Sequence, residues 1–153
     1  MKQTILIPQY VDYVPEQLEE GILYVCEQYK IVAHKCCCGC KEEVITPLSP
    51  AEWSIRKEGN TVTLHPSVGN WSFKCQSHYV IRKNHVIWAK AMTQQQIKRV
   101  RAQDVADKEK YVAVVNKCKE QAILINSENL RKQYSDQSLI KYLWTNLLRW
   151  WNL

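Results

Sequence analysis

Seven consecutive residues, His34-Lys35-Cys36-Cys37-Cys38-Gly39-Cys40, hold four of the seven cysteines and one of the four histidines of this 153-residue chain. A second group, Cys75-Gln76-Ser77-His78, lies well downstream. Thiols at this density serve metal binding, oxidation or catalysis, and the two groups read as halves of one site. His34, Cys36, Cys38 and Cys40 alternate, so on an extended strand they share a face. An extended backbone, however, sets residues four apart roughly 13 Å from each other. Tetrahedral zinc, with Zn–S near 2.3 Å, needs its sulfurs only about 3.8 Å apart. Gly39 supplies the necessary bend, because glycine takes backbone angles closed to other residues. Cys36, Cys38 and Cys40 then leave one place, which Cys75 fills from a separate turn, and Cys37 faces away as a bystander. The alternative set is Cys38, Cys40, Cys75 and His78, which frees Cys36. Zinc (Zn2+) is favoured over iron–sulfur as a small structural clip. A closed four-sulfur site is structural, since catalytic zinc keeps a position open for water.

Catalysis is then sought beside the clip. Ser67 sits in Pro66-Ser67-Val68-Gly69-Asn70-Trp71, read as a tight turn able to present a hydroxyl and to stabilise an oxyanion with its amides. His78 is the first candidate base and His34 the second. Ser77 is the rival nucleophile, although strand neighbours point to opposite faces, so Ser77 and His78 would not readily bond each other. Glu42 or Glu43 would serve as a third member orienting an imidazole. Residue types alone do not decide this, because a turn serine is ordinarily structural. His65 and His85 read as loop or surface histidines.

These groups must be positioned by a small fold. The length suits one domain with an appendage. Hydrophobic content of 46% and charged content of 24% are those of an ordinary globular chain. No stretch approaches the roughly 20 apolar residues that cross a bilayer, and the apolar run at the start is too short for a signal peptide. A cytoplasmic location with reduced, metal-binding thiols is expected. Cys26 and Cys118, alone in apolar contexts, are expected to be buried.

Residues 1–90 read as short strands and turns. A short helix is expected near Val14–Glu19, a strand-rich stretch from Gly21 to Ala33, a turn at Glu58-Gly59-Asn60 before an alternating Thr61–Leu64, and a hairpin of 79–82 with 86–89. From Thr93 the character changes: no proline or glycine follows Gly69, and helix formers dominate. Leu139, Ile140, Leu143, Trp144, Leu147, Leu148 and Trp151 make an apolar helical stripe that a domain or partner would cover. Arg149 and Trp150 beside it leave a membrane-surface helix as the alternative. The net charge of +6 is uneven: residues 1–90 carry 10 Lys/Arg against 9 Asp/Glu, whereas residues 91–153 carry 11 against 6. That basic surplus is modest and suits a solvated face better than a nucleic-acid site, because aromatic and basic residues are not interleaved.

The motifs together resemble a known family. Gly21-Ile22-Leu23-Tyr24-Val25, His34-x-Cys36-x-Cys38-Gly39-Cys40, Thr46-Pro47-Leu48, Trp53, Pro66-Ser67-Val68-Gly69-Asn70-Trp71 and Cys75-x-Ser77-His78-Tyr79 look like the bacterial domain of unknown function 6527 family, over roughly residues 1–90. The resemblance implies a serine peptidase that trims a ubiquitin-like precursor, working beside E1-like and E2-like conjugation enzymes. Carried over, it favours Ser67 and His78, with Ser77 and His34 behind them. Lys41 and the extra Cys37 depart from the family pattern.

The expected fold is therefore α+β: a small, mostly antiparallel β domain (residues 1–90) clipped by a structural zinc, then a basic helical region (residues 91–153). The expected function is cleavage at the C-terminus of a ubiquitin-like protein. The competing expectation is a zinc-stabilised binding module without catalysis, docking a conjugation enzyme or, as a second variant, nucleic acid. No membrane partner is expected.

Overall fold

The structure is a computed structural model that describes the backbone of residues 1–151 and the side chains of residues 1–134. It contains two four-stranded sheets followed by a helix. The first sheet comprises β1 (Ile7–Tyr10), β2 (Ile22–Cys26), β3 (Ile31–Lys35) and β4 (Glu43–Pro47), in that order. β1 runs parallel to β2, and the remaining pairs are antiparallel. The second sheet comprises β5 (Ser54–Glu58), β6 (Thr61–Gly69), β7 (His78–Arg82) and β8 (His85–Trp88), all antiparallel. A bridge from Ile5 to His85 ties the N-terminal segment to the β8 edge.

Alternation along the strands decides where the core lies. Leu23, Val25 and Val32 of the first sheet share one buried cluster with Val62, Leu64, Val68, Tyr79 and Ile81 of the second. Cys36 and Cys37 belong to that cluster, so the thiol turn grows out of the core. On the other face of the first sheet, Tyr24 and Ala33 pack against Leu18, Val11 and Val14. The segment carrying Leu18 is irregular and not the helix expected near Val14–Glu19. Val14 precedes a proline, which disfavours helical angles, and so short a helix is marginal without packing to hold it. Leu18 reaches its pocket without any helical turn.

The helix α1 (Gln94–Trp151) starts at a capping box: Thr93 Oγ1 accepts from the Gln96 N–H at 3.3 Å, and Gln96 Oε1 accepts from the Thr93 N–H at 2.8 Å. Its first turns belong to a compact unit, Met1–Glu109, and Lys110–Leu153 forms a second unit. In that second unit Val112, Val114, Ile123, Leu124 and Ile125 are exposed, and so is Cys118, contrary to the expectation that it is buried. The stripe expected from Leu139 to Trp151 falls on side chains outside the described residues. No helix among the described residues is long and apolar enough to cross a membrane.

Candidate active site and metal centre

β3 ends at Lys35, and Cys36–Cys40 forms a turn rather than the extended run that alternation suggested. Gly39, at φ 86°, makes the bend, and the Gly39 N–H donates to the Cys36 carbonyl at 3.1 Å. Cys75 arrives from the loop between β6 and β7. The sulfurs of Cys36, Cys38, Cys40 and Cys75 all lie within 4.8 Å of one another. Cys36–Cys38, Cys36–Cys75 and Cys40–Cys75 are separated by 3.4, 3.9 and 3.7 Å. Those spacings fit sulfurs about 3.8 Å apart around a tetrahedral ion. The four thiols are thus a set that could hold a metal, and His78 does not belong to it.

Electrostatics within the set are uneven. Burial pushes the Cys38 and Cys40 thiols upward. Burial also opposes ionisation of Cys75, yet hydrogen bonds from Ser77, Cys38 and Cys40 bring it down to about 7. Cys37 is fully buried beside Tyr79 and pushed by burial up to about 12, an inert core thiol.

Behind the four thiols lies a buried polar chain. Ser77 bonds Cys36 Sγ at 3.1 Å and accepts from Asn70 Nδ2 at 2.9 Å. Asn70 Nδ2 also approaches Tyr79 Oη at 3.4 Å, and Tyr79 Oη bonds His34 Nε2 at 2.8 Å. Such groups orient metal ligands. His34 is wholly buried, and burial lowers its pKa to about 4, so it is neutral at physiological pH. Among the described residues no hydrogen bond joins His34 to Ser67 or Ser77. Asn70 and Tyr79 lay inside the quoted motifs, but sequence gave no sign that they bridge Ser77 to His34.

In place of the tight turn expected at Pro66–Asn70, β6 continues as far as Gly69. Leu64 pairs with Ile81 and Val68 with Tyr79, so three residues of β6 face one of β7. This bulge suits Pro66, which has no N–H to give the ladder, and it turns Ser67 toward β7. Ser67 Oγ lies 3.0 Å from His78 Nε2. Trp71 packs on the imidazole with ring centroids 5.0 Å apart. Gly69 permits this, because a Cβ there would stand 2.4 Å from the Trp71 ring. His78 Nδ1 is buried and has no hydrogen-bond partner among the described residues. Neither glutamate considered for it is engaged there: Glu43 pairs with Lys35 at 2.9 Å, and Glu42 is exposed. The pair opens on a cleft of about 240 Å³ lined by Trp53, Ser67, Trp71, His78 and, from α1, Val100 and Asp104.

A serine hydroxyl within hydrogen-bond distance of an imidazole in a cleft is an arrangement that can support nucleophilic catalysis. A family model described as bacterial ubiquitination-like system serine protease (BubE) matches residues 10–89, a little over half of the chain, and the protein belongs to that family. The match carries this description rather than the label 6527. What it shares with the resemblance is a serine protease family of bacterial ubiquitin-like systems. No curated protein and no solved structure matches the chain.

Proposed function

We propose that this protein is a serine peptidase that cleaves at the C-terminus of a bacterial ubiquitin-like protein, before conjugation or after it, with a structural zinc held by Cys36, Cys38, Cys40 and Cys75. The observation that carries the reading is the 3.0 Å contact between Ser67 Oγ and His78 Nε2 in an open cleft. Ser67 Oγ attacks the scissile carbonyl while His78 Nε2 takes its proton, and backbone N–H groups of the bulged segment stabilise the oxyanion. The C–N bond breaks as His78 returns the proton to the leaving amine. Water, deprotonated by His78, then hydrolyses the acyl-enzyme and regenerates Ser67. No carboxylate among the described residues meets Nδ1, and the Trp71 stack holds the imidazole in place. Cys36, Cys38, Cys40 and Cys75 would hold the zinc, which would tie the β3–β4 turn to the β6–β7 loop and supply no chemical step.

Every group in this reading lies within residues 1–90, and the helical region 91–153 is assigned no step. A ubiquitin-like substrate, E1-like or E2-like neighbours and a cytoplasmic setting are part of the same proposal, and the family's place in bacterial ubiquitination-like systems supports the first two.

A fluorophosphonate probe tests the nucleophile directly. The expected result is one adduct on Ser67, mapped by mass spectrometry and lost in His78→Gln. An adduct on Ser77, or none, overturns the assignment. Gly69→Ala is expected to displace Trp71 and to lower kcat by about 10- to 100-fold, since small misplacements of catalytic groups are costly. Metal content stays unchanged in that variant, which kinetics with elemental analysis will check.

A further inference from the structure

The outer face of the second sheet carries a charged cleft that the catalytic reading leaves unused. β5, β6, β7 and the β7–β8 turn place Ser54, Arg56, Thr63, His65, Arg82 and Lys83 around a volume of about 460 Å³. The register explains the grouping. Arg56 pairs with Thr63, and Ser54 with His65, so these four side chains share one face. The Lys83 N–H donates to Thr63 Oγ1 at 3.1 Å, which draws the β7–β8 turn to the same place.

Charge at this cleft is not balanced. Glu58 accepts from Arg56 and from Lys83, at 3.3 Å for the latter, so two cations share one carboxylate. Arg82 is exposed and has no ion pair among the described residues. Three cations against one carboxylate leave two positive charges beside two hydroxyl groups. Arginine forks with nearby hydroxyls are the chemistry that receives a carboxylate.

This cleft lies on the same face of the second sheet as the candidate active site. His78 and Arg82 are both on β7, and strand alternation puts them on the same face. Four residues of strand separate them by roughly 13 Å, the span of about four residues of an extended peptide. His65 lies two residues from Ser67 on β6. A chain laid along β7 from the Ser67–His78 pair therefore carries its fourth residue to Arg82.

We infer that this cleft is a substrate subsite for an aspartate or glutamate side chain about four residues from the scissile bond. The inference rests on Ser67 and His78 forming the active site and names the substrate chemistry that site would take. Arg82 and Arg56 hold the carboxylate, and the preference is electrostatic, so salt weakens it.

Internally quenched peptides centred on a Gly-Gly bond are the probe, with one glutamate moved through positions two to six on either side and glutamine or lysine as the counterparts. The full chain is expected to cleave the glutamate peptide about tenfold better in kcat/KM than its glutamine counterpart at one position near the fourth. That preference shrinks in 0.5 M NaCl, and Arg56→Glu with Arg82→Glu shifts it to lysine. Binding is read separately with Ser67→Ala and fluorescently labelled copies of the same peptides. Tighter binding of the glutamate peptide by a similar factor supports the subsite even if no peptide is cleaved. Equal binding of glutamate, glutamine and lysine peptides overturns it, as does a glutamate preference unchanged by the double substitution. If Ser67→Ala still cleaves, the catalytic assignment fails instead, and the charge preference is judged by binding alone.

Discussion

Ser67→Ala is expected to reduce cleavage of a ubiquitin-like precursor by about three orders of magnitude or more in kcat, with folding and metal content unchanged. The substitution removes Oγ alone, and Ser67 is half-buried at a bulge rather than in the core. A loss of stability beyond about 1 kcal/mol is not expected from so small a change. None of the four thiols contacts it among the described residues. His78→Gln belongs with it: the amide cannot take the proton, so the two single variants and the double variant should lose similar activity, as groups acting as one unit do. Ser77→Ala separates the roles. Ser77 is buried and bonds Asn70 and Cys36, so its loss removes the shortest hydrogen bond of the Asn70 amide and the hydroxyl contact to Cys36 Sγ, and should weaken metal retention first. Full activity in Ser67→Ala together with inactive, metal-replete Ser77→Ala would reverse the two assignments. The readouts are precursor cleavage by intact mass, thermal melting and elemental analysis.

The metal set was legible because its constraints are local and strict. Three thiols around one glycine, plus a distant fourth, leave few arrangements that bring sulfurs close enough. The Ser67–His78 pair was legible only through its motifs, since what aims Ser67 is a bulge, and a bulge is a relation between β6 and β7. Neither strand alone encodes it. The misread helix near Leu18 fails for a similar reason: Tyr24 and Ala33 offer a pocket that an irregular segment fills equally well. Cys118 has apolar neighbours in sequence, but Val112 and Val114 are exposed with it, so its neighbours do not signal burial. The cationic cleft shows the limit most clearly. Arg56 and Arg82 lie 26 positions apart and only the β5–β6–β7 register unites them, so no local composition marks the cleft.

Metal removal should have the largest effect on stability. Structural zinc contributes on the order of 10 kcal/mol to small domains, comparable with the whole stability of a typical one. A metal held by these thiols would close a long loop: Cys36, Cys38 and Cys40 lie beside β3, and Cys75 lies 35 residues beyond Cys40, past the whole of β5 and β6. Strong chelation, or Cys75→Ser, is therefore expected to abolish cooperative melting of the β unit and, with it, cleavage, because the loop that carries Cys75 leads directly into His78. Cys118→Ser is the control: its thiol is exposed on α1, outside the four-thiol set, and metal and melting should not change. The effect of pH has a definite sign. Thiols must lose their protons to bind metal, and burial favours the protonated forms of Cys38 and Cys40. Protons therefore compete with the ion increasingly as pH falls, so metal is lost and the melting temperature drops on acidification, with apparent affinity rising toward alkaline pH. Competition with a chromophoric chelator between pH 6 and about 8 measures this directly. Affinity independent of pH, or a chelated protein that melts as before, would show that the four thiols do not hold the fold together.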